Sequence, residues 1–166
     1  MNNKYFKMAG RNQKGQTIVE FALVFPVFLL IVLGIIELGH LMFVWAAVTD
    51  ASREASRYAA GTGYGSDGLP LYRDCSGIMA VAHQYGFMAN ISATTADVAI
   101  TYDNGNVPSQ TTTFASCSTS VTVSLGDRIG VTVTGHYKPF VPLVPIPAIN
   151  LTSTSYHTIL SGIAIP

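Results

Sequence analysis

The pattern of hydrophobic positions in this 166-residue chain changes from a continuous run to a helical repeat and then to alternation. Residues 21–36 carry no charge, and the stretch 14–60 contains a single proline, Pro26, so we predict one long helix over residues 16–60. The uncharged run spans about 24 Å of helix, and its apolar continuation to residue 48 brings this to about 42 Å. Such a helix is long enough to cross a hydrocarbon core of about 30 Å.

The second half of this predicted helix is amphipathic. Hydrophobic and small side chains recur there at spacings of three and four, which predicts one packed face. We interpret this face as packing on the protein's own domain, and a contact with neighbouring helices is the alternative, because small residues allow close approach. The residues of this face are Leu38, Leu41, Trp45, Val48, Ser52, Ala55 and Ala59.

The remainder of the chain predicts a short helix followed by β-structure. Residues 61–70 form a glycine-rich connector, and a weaker helical period predicts a second helix over Gly77 to Ala89. From Asp97 onwards hydrophobic residues alternate with smaller or polar ones up to a predicted turn at Asp103 to Asn106.

Three further segments have the composition of strands. Residues 120–125 and 129–137 are predicted to form a hairpin through residues 126–128, and residues 149–159 form a last strand. The proline-rich segment 138–147 is predicted to be extended and outside the sheet. The fold class is therefore α+β, with a long N-terminal membrane-spanning helix that continues into a small exported domain. That domain contains a short helix and an antiparallel sheet of about four strands.

The charge distribution predicts the orientation in a membrane. The first fifteen residues contain Lys4, Lys7, Arg11 and Lys14 and no acidic residue, which predicts a cytoplasmic N-terminus and an exported C-terminal part. Five basic and nine acidic residues follow Gly15, so we expect no binding to nucleic acid. Glu20 at the start of the apolar run, and the absence of a small-x-small cleavage site before Ala46, argue against removal by an ordinary signal peptidase.

Glu20 is the most informative single residue of the apolar segment. A carboxylate inside a membrane helix costs on the order of 2.5 to 3.5 kcal/mol on insertion scales. One interpretation places Glu20 at the membrane interface, near the positive end of the helix, without a further role. The other starts from Gly15, because cleavage after Gly15 would make Gln16 the N-terminus and Glu20 the fifth residue. The free amine and the carboxylate of neighbouring copies could then neutralise each other.

This arrangement resembles the type IV prepilins, in which a short basic leader ends in Gly and the mature helix has Glu at its fifth position. Residues 16–60 resemble more narrowly the TadE-like pseudopilins of Tad (tight adherence, Flp) pilus systems. Phe21 is a departure from the major pilins, which have Tyr after the Glu, so the resemblance implies a minor subunit. The segments that carry it are Gly15, residues 19–23 (VEFAL), Pro26, residues 34–39 (GIIELG) and residues 51–59 (ASREASRYA).

The resemblance implies three regions: a basic leader over residues 1–15, a transmembrane and assembly helix over 16–60 and an exported domain over 61–166. It implies a structural minor pilin or pseudopilin that takes part in the assembly of an adhesive pilus. The implied partners are a prepilin peptidase that cleaves between Gly15 and Gln16, the Flp-type major pilin, other minor pilins and an inner-membrane assembly platform. Glu20 and Phe21 would serve assembly. The implied location is the bacterial inner membrane, and the extracellular pilus after processing.

The alternative function is a permanently anchored, exported enzyme or binding protein with a pilin-like helix. An active site would favour it, but the sequence contains no recognisable nucleophile or phosphate-binding motif, and its four histidines lack the spacing of metal ligands. We therefore assign no catalytic residue, metal or cofactor. Cys75 and Cys117 both lie in the exported part, where a disulfide between them is expected, with two free thiols as the alternative.

Overall fold

The long predicted helix is present and dominates the N-terminal part of the computed structural model. The structure describes residues 13–105, 115–139 and 148–160. Helix α1 runs from Gln13 to Ala60 and contains Pro26, so it begins three residues before the predicted start and ends where predicted. The structure divides into two units, Met1–Leu38 and Gly39–Pro166, and α1 contributes residues to both.

The first unit consists, in its described part, of the apolar half of α1. Its large hydrophobic side chains are exposed, among them Phe21, Leu23 and Ile35 at 65 to 71%. No part of its most apolar stretch is buried, and by length and composition the helix could cross a membrane. The prediction of a membrane-spanning segment is therefore supported by a helix whose apolar surface has no cover within the described chain.

The second unit is a four-stranded antiparallel sheet with helices on one face. The strands lie in the order β2-β1-β3-β4, and each pairs antiparallel with its neighbours. They comprise β1 (Val98–Asp103), β2 (Ala115–Ser116), β3 (Arg128–Tyr137) and β4 (Ile149–Thr158). This confirms the α+β class and the approximate number of strands.

The predicted hairpin of residues 120–125 with residues 129–137 is wrong. The second segment is β3, but residues 121–124 form no strand, and β3 pairs with β1 on one side and β4 on the other. Both edges of β3 are thus occupied by distant segments, so its neighbour in sequence has no edge to join. Residues 121–127 instead form a loop, in which Val121 O accepts a hydrogen bond from Arg73 Nε at 2.7 Å.

The second helix, α2, runs from Cys75 to Tyr85, followed by a single 3-10 turn at Phe87–Ala89. It starts two residues earlier than predicted because Asp74 caps it by accepting a hydrogen bond from Gly77 N at 2.8 Å. The helix is interrupted at Gly86, where a Cβ atom would lie 2.1 Å from Ile91 Cδ1 and 3.3 Å from the Cβ of Ala51. Gly86 therefore lets this segment approach α1 closely.

Two predicted features lie partly outside the described residues. The turn after β1 is seen as far as Gly105, which has a φ of 69° and donates its N–H to Asp103 Oδ1 at 2.9 Å, whereas Asn106 lies outside. Residues 140–147 of the predicted extended segment also lie outside.

The core of the second unit lies between the end of α1 and the inner face of the sheet. Val131, Val133 and Ile129 alternate along β3 and are completely buried. Ser52 Oγ on α1 lies 3.0 Å from Ser153 Oγ on β4, so the two elements are in direct contact. The buried residues of α1 are Val44, Val48, Ala51, Ser52, Ala55, Ser56, Ala59 and Ala60.

The predicted packing of the amphipathic half on the protein's own domain is therefore confirmed, but two of the predicted face residues are wrong. Trp45 and Leu38 are exposed by 56% and 64%, and Val44 takes the buried position next to Trp45. The small residues after position 50 are what allow α1 to lie close to the sheet.

Candidate functional site

The residues predicted to act in processing and assembly all lie in the first turns of α1. Gly15, Gln16, Glu20 and Phe21 are exposed. An added Cβ at Gly15 would meet no atom within 4 Å. The helix therefore presents Gly15 and Gln16 on an open surface, without contacts from the described part of the chain that would obstruct access.

Glu20 and Phe21 occupy adjacent positions with different surroundings. The ring of Phe21 stacks on that of Phe25 one turn later, with centroids 5.2 Å apart and an angle of 24° between the planes. Glu20 has no ion-pair partner among the residues that the structure describes. A carboxylate in an apolar segment without an intramolecular partner can be neutralised by a cation from another molecule or by the membrane interface.

Gln16 and Glu20 are four residues apart and lie on the same side of the helix, about 6 Å apart along the axis. A neighbouring parallel helix displaced by about one turn would bring its residue 16 level with this Glu20. The spacing of residues 16 and 20 thus matches one helical turn.

The predicted disulfide is present. Cys75, the first residue of α2, is bonded to Cys117, which directly follows β2, with their Cα atoms 5.9 Å apart. The Tyr102 hydroxyl lies beside this bond, 3.5 Å from Cys117 Sγ, and donates to Tyr72 O at 2.5 Å. The disulfide therefore joins α2 to the edge of the sheet next to a buried tyrosine.

A buried carboxylate that the sequence analysis did not single out connects α1 to α2. Asp74 Oδ2 accepts a hydrogen bond from the Tyr58 hydroxyl at 2.8 Å, and Asp74 Oδ1 accepts from Ser76 Oγ and Gly77 N. Burial opposes ionisation here, but these hydrogen bonds outweigh it and hold the pKa of Asp74 below its usual value. Its position before a helical period was the available signal, because Asp is a preferred N-cap residue.

A second polar cluster lies on the sheet face opposite α1. His136 Nε2 is 2.9 Å from Asp97 Oδ1, and His136 Nδ1 is 3.0 Å from Asn150 Oδ1. Hydrogen bonds to Asp97 and Asn150 raise the pKa of His136. The backbone N–H of Ser92, followed by the His136 contact, lowers the pKa of Asp97. No local pattern predicts this cluster, since its members are 14 to 53 residues apart in sequence.

Among the described residues, no group of three or more His, Cys, Asp or Glu side chains is arranged to hold a metal ion. The carboxylate of Asp103 is bonded to Arg128 Nε at 2.7 Å as well as to Gly105 N, so it serves the turn and an ion pair.

Comparison with known proteins identifies one segment. Residues 15–57 match the family model described as TadE-like protein, which confirms the family resemblance for this segment. The match covers about a quarter of the chain, begins at Gly15, includes Glu20 and Phe21, and ends within α1. No curated protein and no solved structure matches the chain significantly. The match therefore identifies a TadE-like segment within this chain, over residues 15–57 alone.

Proposed function

We propose that this protein is a minor pilin or pseudopilin that takes part in the assembly of a Tad-type adhesive pilus. The observation that carries the proposal is the position of the family match. It begins at Gly15, where the leader is predicted to end, and it covers the apolar part of α1. The apolar half of α1 leaves its large side chains uncovered, as expected of a helix that is first held in a membrane and then packed against other subunits.

In the proposed assembly pathway, the subunit is first inserted into the bacterial inner membrane. The basic leader keeps the N-terminus in the cytoplasm, and the domain after α1 is exported. A prepilin peptidase cleaves between Gly15 and Gln16 and exposes a new amine. The assembly platform then transfers the helix into a structure that contains the Flp-type major pilin and other minor pilins.

Glu20 would guide this transfer by pairing with the amine of Gln16 in a neighbouring subunit. The attraction between these charges is stronger in a bundle of apolar helices than in water, because the local dielectric is lower. Phe21 would contribute apolar contact area beside this pair.

Processing is tested by mass spectrometry of the protein recovered from membranes and from sheared filaments. We expect the mature protein to begin at Gln16 when the peptidase is present and at Met1 when its gene is deleted. Recovery of the intact leader in the presence of active peptidase would contradict the proposed cleavage.

The role of Glu20 is tested with Glu20→Gln, and Glu54→Gln provides the matched control on the same helix. Glu54 lies in the second unit and forms an exposed ion pair with Arg57 at 3.0 Å. We expect Glu20→Gln to reach the membrane and be cleaved normally but to enter sheared pili poorly, whereas Glu54→Gln enters them normally. Normal incorporation of Glu20→Gln would leave Glu20 as an interface residue, and a reduced membrane level would indicate a role in insertion.

A further inference from the structure

The outer sheet face contains one histidine whose two ring nitrogens both contact polar side chains from other segments. His136 lies near the end of β3, where its ring is placed between Asp97, which precedes β1, and Asn150, the second residue of β4. The side chain of Asp97 is 9% exposed and that of His136 is 39% exposed, so the ion pair is shielded on one side only.

Asp97 is fixed by its own contacts. Its Oδ2 atom accepts a hydrogen bond from Ser92 N at 2.8 Å, and its backbone oxygen accepts one from Thr134 N at 2.8 Å. The carboxylate therefore holds the turn of residues 92–97 and offers its remaining oxygen to His136. Because Asp97 cannot move away without breaking these bonds, the position of the imidazole relative to it is well defined.

Asn150 occupies the directly opposite position on β4, since His136 and Asn150 are partners in the strand register. The contact lies one residue from the last pair of this ladder, Tyr137 with Ile149. The side-chain bond is thus placed at the end of the ladder, where strand pairs open most readily.

We propose that Asp97, His136 and Asn150 form a protonation-controlled clasp that fastens the turn of residues 92–97 and the beginning of β4 to β3. An imidazolium donates from both nitrogens, so it can bond the carboxylate of Asp97 and the amide oxygen of Asn150 together. A neutral imidazole keeps one N–H. It retains Asp97 and presents a lone pair to the amide oxygen of Asn150, which then has to rotate or withdraw.

The charged surroundings favour the protonated form. Among the described residues, Asp97 is the charged group that faces the ring, and β4 contributes the neutral Asn150 and, on the same face, Thr152. Lys138, two residues further along the chain, is exposed. The pKa of His136 lies above its usual value. The stabilisation of the fold by protonated His136 is therefore complete below about pH 6.5 and is lost as the pH rises through the raised pKa.

At acidic pH, the stabilisation that Asp97 contributes has the opposite pH dependence. The pKa of Asp97 is lowered, so its contribution is present above the usual carboxyl value of about 4 and is lost as the pH falls through the lowered pKa. The clasp therefore contributes its full stabilisation between about pH 4 and pH 6.5. It opens as the pH rises through the raised pKa of His136 or falls through the lowered pKa of Asp97.

Hydrogen exchange measured by mass spectrometry on the full-length protein in detergent micelles tests the clasp. After correction for the intrinsic pH dependence, we expect exchange in peptides from the start of β4 to accelerate roughly two- to fivefold as the pH rises through the titration of His136. Peptides from residues 92–97 should accelerate less, because the neutral imidazole still contacts Asp97. Peptides from α2 provide the internal control and should not change.

Two variants distinguish the clasp from a purely structural contact. Asn150→Asp places a second carboxylate beside the ring and should move the midpoint of the acceleration to higher pH, whereas Asn150→Ala removes the bond that opens and should abolish the acceleration at the start of β4. His136→Gln should abolish the pH dependence, and His83→Gln, at an exposed position of α2, should leave it unchanged.

An unchanged midpoint in Asn150→Asp would overturn the proposal, as would the same pH dependence in folded His136→Gln as in the parent. If His136→Gln fails to fold, the raised midpoint in Asn150→Asp and the lost acceleration in Asn150→Ala still decide the question.

Discussion

The two halves of α1 have similar backbones and opposite environments. Between Gly15 and Leu38 the helix exposes Phe, Leu and Ile side chains, whereas between Gly39 and Ala60 its buried face consists largely of Ala, Ser and Val. The second half packs on the sheet of its own domain. Its buried face requires small residues because the sheet lies close. The first half carries large residues that the described part of the chain leaves exposed. One helix thus contains a segment that packs within its own domain and a segment whose composition suits an apolar environment.

Removal of the disulfide is expected to separate the two halves most clearly, because it should lower the stability of the second unit and leave membrane retention unchanged. The double variant Cys75→Ser/Cys117→Ser should lower the free energy of unfolding of the second unit by about 3 to 5 kcal/mol, because the bond closes a loop of 42 residues in sequence. Urea denaturation followed by near-UV circular dichroism in micelles measures this loss. We expect membrane retention to depend on the first half and to be unaffected, so loss of membrane retention together with stability would contradict this expectation.

The same substitution placed in each half should have different effects. Ala55→Leu inserts three carbon atoms into the completely buried contact between α1 and the sheet, and it should lower the free energy of unfolding by about 1 to 3 kcal/mol. Ala22→Leu, at an exposed position of the apolar half, is the matched control and should change this quantity by less than about 0.5 kcal/mol. Equal effects of the two variants in thermal unfolding would show that Ala55 is not confined as the structure places it.

Removing the contact between Tyr58 on α1 and Asp74 before α2 should cause a smaller, pH-dependent loss of stability. Asp74→Ala removes the N-cap of α2 and the acceptor of the Tyr58 hydroxyl, and we expect a loss of about 0.5 to 2 kcal/mol.

The pKa of Asp74 is lowered in the folded protein, so its contribution is present above about pH 4 and disappears as the pH falls through the lowered pKa. Unfolding curves recorded between pH 2 and pH 7 should therefore be flatter on the acid side for Asp74→Asn than for the parent. A parallel displacement of the whole pH profile would instead indicate that Asp74 has the same pKa in the folded and unfolded states.

The smallest loss of stability is expected from a substitution on the exposed face of the second half of α1. Glu54 and Arg57 form an ion pair with exposed fractions of 35% and 65%, so Arg57→Gln should lower the free energy of unfolding by about 0.2 to 1 kcal/mol. The loss should diminish at high salt, since exposed charges are screened. A loss above this range that persists in high salt would assign Arg57 a packing role.

The sequence by itself determined the features that depend on local periodicity and composition. The apolar run and the absence of breakers other than Pro26 predicted α1, and the alternation in residues 98–103, 129–137 and 149–158 predicted three of the four strands. The candidate site at Gly15, Gln16 and Glu20 stays a prediction, and its signal in the sequence is a spacing within one helix. The family match over residues 15–57 falls on the same segment.

Only the tertiary structure decided the features that depend on competition between distant segments. Residues 120–125 alternate as a strand should, yet β1 and β4 already occupy both edges of β3, and that occupancy cannot be read from the alternation itself. The burial of Val44 instead of Trp45 follows from the direction in which the sheet approaches α1, and a shift of one residue rotates the helix face by about 100°. The contact of Asp97 with His136 and Asn150 arises for the same reason, because strand register brings together side chains whose separation in sequence carries no periodic signal.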